Sequence, residues 1–152
     1  SLALAILALL LMSSCSGKTY EVVGEEMAPT FVEGQTIIAV SVAPDQIQRG
    51  DPVVYRQSNG GLYFKRVVGL PGETVRIDHG LVIVNGIPLD EGYKVQPDTN
   101  DQTEAEHLDD DQFFILGDNR TDSYDSRHHG PVPADLIVGR VKVTWLNRLD
   151  RK

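Results

Sequence analysis

Short apolar runs separated by turn sequences are the feature that most constrains the fold of this chain. From residue 20 onward, β-branched and aromatic residues come in stretches of a few residues rather than at helical spacing. Runs of this kind predict β-strands. They lie at 36–40, 52–55, 62–64, 66–68, 81–84, 87–89 and 137–145. We therefore expect a mainly β domain with no helix of ordinary length.

Two Asn-Gly pairs predict how these strands connect. Asn59-Gly60 and Asn85-Gly86 each lie between two of the apolar runs. Asn-Gly favours a tight hairpin turn because both residues tolerate positive φ. The strands should therefore pair antiparallel, and the alternating run at 137–145 is expected to close the sheet.

Length and charge restrict the possible functions further. A chain of 152 residues with 41% hydrophobic content can build one domain with a core and is too short for two ordinary domains. The net charge of −8 repels the phosphate backbone of nucleic acids. We expect no nucleic-acid partner.

The stretch 96–111 is rich in carboxylates but does not match a metal-binding pattern. It carries seven Asp and Glu residues and almost no apolar ones, which predicts a solvated loop. A calcium loop starting at Asp98 would need Gly and Glu where Thr103 and Asp109 stand. The histidines are not at zinc-ligand spacing. We expect neither a metal nor a cofactor.

The amino-terminal residues 1–17 predict an export leader or anchor, which leaves 18–152 as the folded domain. Leu2 to Met12 is an unbroken run of 11 apolar residues, and Cys15 follows among small residues. The run is shorter than the ~20 residues that cross a bilayer and matches the apolar region of a secretion signal. One interpretation is a lipoprotein leader with lipidation at Cys15; the other is a truncated transmembrane anchor with an incidental cysteine. Both interpretations place the domain at the extracytoplasmic face of the membrane, with membrane lipid as a partner.

Four further segments occur in an order and spacing that are highly specific together. They are VVGEEMAPTF at 22–31, RGDPVVY at 49–55, KRVVGLPGE at 65–73 and GDNRTDSYDSR at 117–127. This series resembles the bacterial type I signal peptidases of peptidase family S26, over roughly residues 20–145. The resemblance implies the antiparallel, barrel-like β fold of the signal peptidase catalytic domain for residues 18–152. It also implies a signal-peptide-bearing preprotein as partner.

The resemblance implies a role for each motif residue. The family uses a Ser nucleophile and a Lys general base, which by position correspond to Glu26 and Lys65, and Ser123 corresponds to the Ser that orients the base. A lysine can take a hydroxyl proton at neutral pH only where an apolar pocket disfavours its charged form. The remaining residues support these three: Met27 and Pro29 shape the turn at position 26, Asp118 pairs with Arg66, and Asp125 pairs with Arg127.

Glu26 departs from the family pattern at the position of the nucleophile. A carboxylate attacking an amide would give a mixed anhydride, which leaves the tetrahedral intermediate more readily than the amine does. In addition, an ionised Glu ~4 Å from a Lys attracts it by roughly 4 kcal/mol at an effective dielectric constant of ~20, which opposes the neutral lysine that catalysis needs. We therefore expect a salt bridge between Glu26 and Lys65 in place of the catalytic dyad.

Three functions are compatible with this sequence. The first is a catalytically silent relative that binds extended, signal-peptide-like segments by strand pairing at the outer face of the membrane. The alternative is an active membrane-bound signal peptidase, a serine-type endopeptidase that removes signal peptides from exported preproteins with another nucleophile. The third is a structural lipoprotein in which the motifs only hold the fold.

Overall fold

The computed structural model of the protein describes residues 16–142. The apolar run from Leu2 to Met12, Cys15 and residues 143–145 of the predicted closing strand lie outside the described residues. Within 16–142, no helix is long and apolar enough to cross a membrane.

Eleven strands make up most of the regular structure of this range. They are β1 (Lys18–Glu21), β2 (Thr36–Val40), β3 (Pro52–Arg56), β4 (Leu62–Gly69), β5 (Thr74–Asp78), β6 (Leu81–Val84), β7 (Ile87–Pro88), β8 (Glu106–His107), β9 (Gln112–Leu116), β10 (Val132–Pro133) and β11 (Ile137–Lys142). The short helix α1 (Ser126–His129) and two 3-10 turns, Pro44–Gln46 and Ala134–Leu136, complete it.

The strands form two sheets in which all named strands pair antiparallel, as predicted. The larger sheet has seven strands in the order β1-β2-β11-β3-β4-β9-β10, and the smaller has four in the order β7-β6-β5-β8. The last described strand, β11, lies between β2 and β3 and pairs with both. It therefore joins the amino-terminal strands to the rest of the larger sheet. The prediction of a mainly antiparallel β domain is confirmed.

Both predicted hairpins are present. Asn85 and Gly86 have φ values of 51° and 81°, which fit the two positions of a type I′ turn between β6 and β7. The other turn joins β3 to β4, where Arg56 pairs with Leu62. The runs 62–64 and 66–68 form one strand, β4, because the charged residue between them, Lys65, is buried and paired within the sheet.

Alternate residues of β3 contribute to two different hydrophobic clusters, as expected for a strand buried on both faces. Val53 and Tyr55 pack with Phe113 on one side. Val54 packs with Met27 on the other side. The Glu26 turn is therefore anchored in the core through its neighbour.

The acidic stretch 96–111 is attached to the domain more firmly than its composition predicts. Leu108 is completely buried, and β8 pairs with β5. Asp101 forms an ion pair with Arg127 at 2.9 Å. A buried apolar residue, strand pairing and a long-range ion pair together hold a segment whose composition is that of a solvated loop. Within residues 16–142, no group of three or more His, Cys, Asp and Glu side chains is arranged to hold a metal ion.

Candidate active site

Lys65 and Glu26 meet at the centre of the candidate site although 39 positions separate them. Lys65 lies in the middle of β4, and its side chain is completely buried. Its Nζ donates to Glu26 Oε2 at 2.7 Å and to the Phe64 carbonyl at 3.1 Å. The Glu26 side chain remains 34% exposed. The pair therefore joins a buried ammonium to a carboxylate at the protein surface.

The Glu26 turn is fastened to the last of the four motif segments. The second carboxylate oxygen, Oε1, accepts the backbone N–H of Tyr124 at 2.9 Å. The Glu26 carbonyl accepts the N–H of Asn119 at 3.0 Å. Asn119 also donates its side-chain amide to the Glu25 carbonyl at 3.2 Å. The carboxylate of Glu26 is thus held by contacts from both β4 and the 117–127 loop.

The residues after Glu26 turn the chain back into the core. Met27 is 1% exposed, and its carbonyl accepts the N–H of Phe31 at 2.9 Å. Pro29 follows a cis peptide bond with Ala28. Thr30 donates its hydroxyl to the Lys94 carbonyl at 3.0 Å. This compact turn leaves the Glu26 side chain as the group that it presents beside Lys65.

Ser123 has a different partner from the one implied by the family resemblance. Its Oγ donates to Asp125 Oδ2 at 2.8 Å, whereas the hydrogen bonds of Lys65 within residues 16–142 go to Glu26 and Phe64. Asp125 offers the Ser123 hydroxyl an ionised acceptor, whereas the Lys65 ammonium has only donors and lies against Glu26. Ser123 is therefore tied to its own loop in this structure.

Asp125 organises that loop from a completely buried position. It accepts hydrogen bonds from Ser123, from the Gly117 N–H at 2.9 Å and from Arg127 Nε at 2.8 Å. Burial by itself raises the pKa of Asp125. The hydrogen bonds and the positive charge of Arg127, together with the hydrogen bonds from Gly117 and Ser123, outweigh burial and hold this pKa below its usual value. Asp125 is therefore ionised at neutral pH and caps the start of α1.

Arg66 and Asp118 form the second predicted ion pair of the site. Arg66 Nε and Nη2 donate to the two Asp118 oxygens at 2.7 and 2.5 Å, and both side chains are buried. The guanidinium also donates to the Gly50 carbonyl at 2.9 Å and lies 4.0 Å from the ring centroid of Tyr93. Such bidentate geometry fixes orientation as well as distance. It locks the strand that carries Lys65 to the 117–127 loop.

Several further residues around the site were not predicted from the sequence. Glu91 pairs with Arg120 through the two terminal guanidinium nitrogens, Nη1 and Nη2. Gln96 exchanges backbone hydrogen bonds with residues 118 and 120. The segment 91–101 therefore runs along the 117–127 loop. A contact between two irregular segments leaves no periodic signal in the sequence.

A tyrosine and a histidine form an uncharged group near the salt bridge. Tyr55 Oη lies 3.2 Å from His129 Nε2, and His129 Nδ1 lies 2.9 Å from the Gly130 carbonyl. A carbonyl can only accept, so Nδ1 carries the proton and Nε2 accepts from Tyr55. Burial is the largest cause that lowers the pKa of His129, and burial raises the pKa of Tyr55 to about 12. Both groups are therefore neutral at pH 7.

An apolar cleft of about 360 Å³ leads to the salt bridge. Two backbone segments, 20–24 and 61–64, form most of its wall, together with the side chains of Glu26, Met27, Ile37 and Val54. Residues 62–64 of β4 pair with β3 on one side, whereas the described pairing with β9 begins only at Arg66. The other edge of residues 62–64 therefore has no strand partner within residues 16–142.

A comparison with known protein families identifies the family of this chain. A family model described as "Signal peptidase, peptidase S26" matches residues 1–146. The chain belongs to this family.

Individual members of the signal peptidase family agree with this assignment. The chain is 40% identical to a signal peptidase I of Leptolyngbya laminosa over 138 residues, which cover 82% of this chain and 68% of the relative. It is 38% identical to a probable signal peptidase I-2 of Synechocystis over 105 residues, which cover 64% of this chain and 48% of the relative. The crystal structure of a signal peptidase I from Enterococcus faecalis matches with a TM-score of 0.56 and 28% identity, over 67% of this chain and all of that one. The mainly antiparallel β architecture is therefore that of a signal peptidase I domain.

Proposed function

We propose that this signal peptidase family member is catalytically silent and binds extended, signal-peptide-like segments of preproteins at the outer face of the membrane. One observation carries the proposal: Lys65 Nζ donates at 2.7 Å to the Glu26 carboxylate, at the position where the family pattern has a serine. A Ser/Lys dyad is thereby replaced by an ion pair.

The chemistry of Glu26 argues against acyl transfer. One oxygen of the carboxylate accepts from Lys65 and the other from the Tyr124 N–H, so both oxygens are engaged by donors. An ionised carboxylate has no hydroxyl proton for a base to remove, and the lysine would lose its attraction to Glu26 on becoming neutral. Ground-state contacts of this kind stabilise the resting protein rather than a transition state.

The cleft supports the binding part of the proposal. Its walls are largely apolar and include residues 62–64, whose second edge has no strand partner within residues 16–142. An extended peptide can add to such an edge through backbone hydrogen bonds, with its alternate side chains directed into the cleft. Neither interaction needs a nucleophile at position 26.

The amino-terminal residues support a location at the membrane. The apolar run from Leu2 to Met12 and the small residues around Cys15 match a lipoprotein leader. Tyr20, five positions after Cys15, already lines the cleft. Five residues span at most about 17 Å, so lipid on Cys15 would keep the cleft close to the membrane surface. A transmembrane anchor through the same run would have the same effect.

An active signal peptidase is the second candidate. It is favoured by the complete burial of Lys65, since a general-base lysine needs a dry environment. The relatives named signal peptidase I also agree with it. In this case a nucleophile other than residue 26 would have to reach the peptide.

Binding and cleavage assays on one signal peptide test the proposal. Fluorescence anisotropy should show binding to the wild-type domain, and mass spectrometry of the same mixture should show intact peptide. Leu62→Lys places a charge in the cleft wall and should weaken binding at least about fivefold, because burying a leucine contributes about 1.5–3 kcal/mol. Leu81→Lys, at an exposed leucine of the other sheet, is the matched control. Unchanged binding in Leu62→Lys would place the peptide elsewhere.

A further inference from the structure

The carboxylate of Glu26 accepts hydrogen bonds from two groups that could also donate to another anion. Lys65 Nζ lies 2.7 Å from Oε2, and the Tyr124 N–H lies 2.9 Å from Oε1. The ammonium is completely buried and comes from β4, whereas the N–H comes from the 117–127 loop. The protein therefore supplies its own anion to these donors.

The charged residues that line the cleft within the described range are both glutamates. Glu21 and Glu26 are among the residues that line it, and no Lys or Arg is among the lining residues of the described range. Glu25 is exposed directly beside Glu26. The whole chain carries a net charge of −8. The lysine that could offset these carboxylates is already paired.

Both wall segments lead to this pair. Residues 61–64 continue directly into Lys65, and residues 20–24 continue to Glu26 after one residue. The salt bridge therefore marks one end of the cleft, which we call the inner end. A peptide paired with the second edge of residues 62–64 would reach Glu26 there.

We propose that Glu26 makes the inner end of the cleft selective against an anionic chain terminus. The ligand is then a segment that continues past Glu26, or that ends there in a neutral or cationic group. This inference rests on the proposed function, because it assumes that the cleft binds an extended peptide. The cleft is then expected to bind internal stretches of an uncleaved chain in preference to fragments that end at Glu26 in a free carboxylate.

Repulsion and competition give the selectivity its physical basis. A second carboxylate at the inner end would meet Glu26 and would find both donors already occupied. The expected discrimination is about fivefold, which corresponds to about 1 kcal/mol for two unit charges ~4 Å apart in water. Rejection by an introduced like charge is a common source of specificity. A parallel peptide would bring its carboxyl end to Glu26 and an antiparallel peptide its amino end, so the orientation decides which end is sensed.

Isothermal titration with differently capped peptides tests this inference. One apolar sequence is made in a nested series of lengths, each with a free or amidated carboxyl end and a free or acetylated amino end. For the length that ends at Glu26, we expect amidation to tighten binding about fivefold, or, for the antiparallel orientation, acetylation to weaken it to a similar extent. Glu26→Gln should abolish or reverse the difference, because it frees the Lys65 ammonium for a peptide carboxylate, whereas Glu25→Gln, which removes the neighbouring charge, should retain it.

The salt dependence of the wild-type protein provides a readout that needs no variant. Raising the salt concentration from about 0.01 M to about 1 M shortens the Debye length from about 30 Å to about 3 Å and should reduce the discrimination. Equal binding of all capped forms at every length and at low salt would overturn the selectivity but leave the peptide cleft intact. Discrimination of the same sign and size in Glu26→Gln would overturn it as well. Absence of any binding would overturn the proposed function together with this inference.

Discussion

The completely buried ammonium of Lys65 donates at 2.7 Å to the Glu26 carboxylate, which is one third exposed. The carboxylate also accepts the Tyr124 N–H, so three separated motif segments converge on it. A second ion pair joins two of these segments, because Arg66, next to Lys65, pairs with Asp118 of the same loop that contains Tyr124. The arrangement explains how a site can keep the family framework while its central pair is ionic.

The salt bridge should contribute measurably to stability. Glu26→Gln leaves the Lys65 ammonium buried without its counter-charge and should lower the free energy of unfolding by about 2 kcal/mol. This value lies below the ~3–5 kcal/mol of a fully buried pair because water reaches Glu26. Urea denaturation measures the loss. Adding Lys65→Met should recover part of it, and additive losses in the double variant would contradict the pairing.

The Arg66–Asp118 pair should be worth more because both side chains are buried. Asp118→Ala leaves the Arg66 guanidinium uncompensated and should cost about 3–5 kcal/mol in thermal or urea unfolding. Asp122→Ala removes an exposed carboxylate of the same loop and should change stability by less than about 0.5 kcal/mol. Similar stabilities of the two variants would show that the buried pair contributes nothing net.

Acid should destabilise the domain through Asp125, whose pKa is held low by Arg127 and its other donors against the effect of burial. The unfolded chain takes up a proton at this residue near pH 4, whereas the folded carboxylate does so only at lower pH. The stabilisation is therefore complete above about pH 5 and is lost as the pH falls through the folded-state pKa. Asp125→Asn should be less stable at pH 7 and lose less stability on acidification. Parallel pH curves for the two proteins would exclude Asp125 as the cause.

Lipidation of Cys15 is a separate expectation about the amino terminus. In a bacterial host that processes lipoproteins, mature protein should carry lipid on Cys15, and Cys15→Ser should move the domain into the soluble fraction. The diacylglyceryl group of a lipoprotein supplies at least two chains, which anchor stably where one chain does not. Intact-mass measurement decides the question. An unmodified cysteine with a retained leader would favour the transmembrane anchor.

The strands and hairpins of this domain could be predicted because their signals are local. The Asn85-Gly86 turn has the positive φ values that its residue types favour, and most apolar runs became strands at the predicted positions. The continuity of β4 through Lys65 has a physical cause. A lysine usually marks a break in a buried strand, but Lys65 is compensated by Glu26 and stays within the sheet.

Long-range contacts at the site could be predicted only in part. The proximity of Glu26 to Lys65, and of Arg66 to Asp118, was expected from the family resemblance rather than from any periodicity. The bond from Ser123 to Asp125 depends on the local geometry of the 117–127 loop, which a motif does not encode. The Glu91–Arg120 pair joins two irregular segments, so neither spacing nor composition indicates it.

Peptide cleavage by Glu26→Ser is the most direct test of catalytic silence. The wild-type domain should not cleave a signal-peptide substrate above background. Glu26→Ser places a hydroxyl beside a completely buried lysine and should give measurable cleavage. Recovery should be partial, because Gly24 offers no side-chain hydroxyl to an oxyanion, and one lost oxyanion donor costs ~10²–10³ in rate in characterised serine proteases. The double variant Glu26→Ser with Lys65→Ala should be silent again. Cleavage by the wild-type protein that Lys65→Ala abolishes would contradict the account and identify an active signal peptidase.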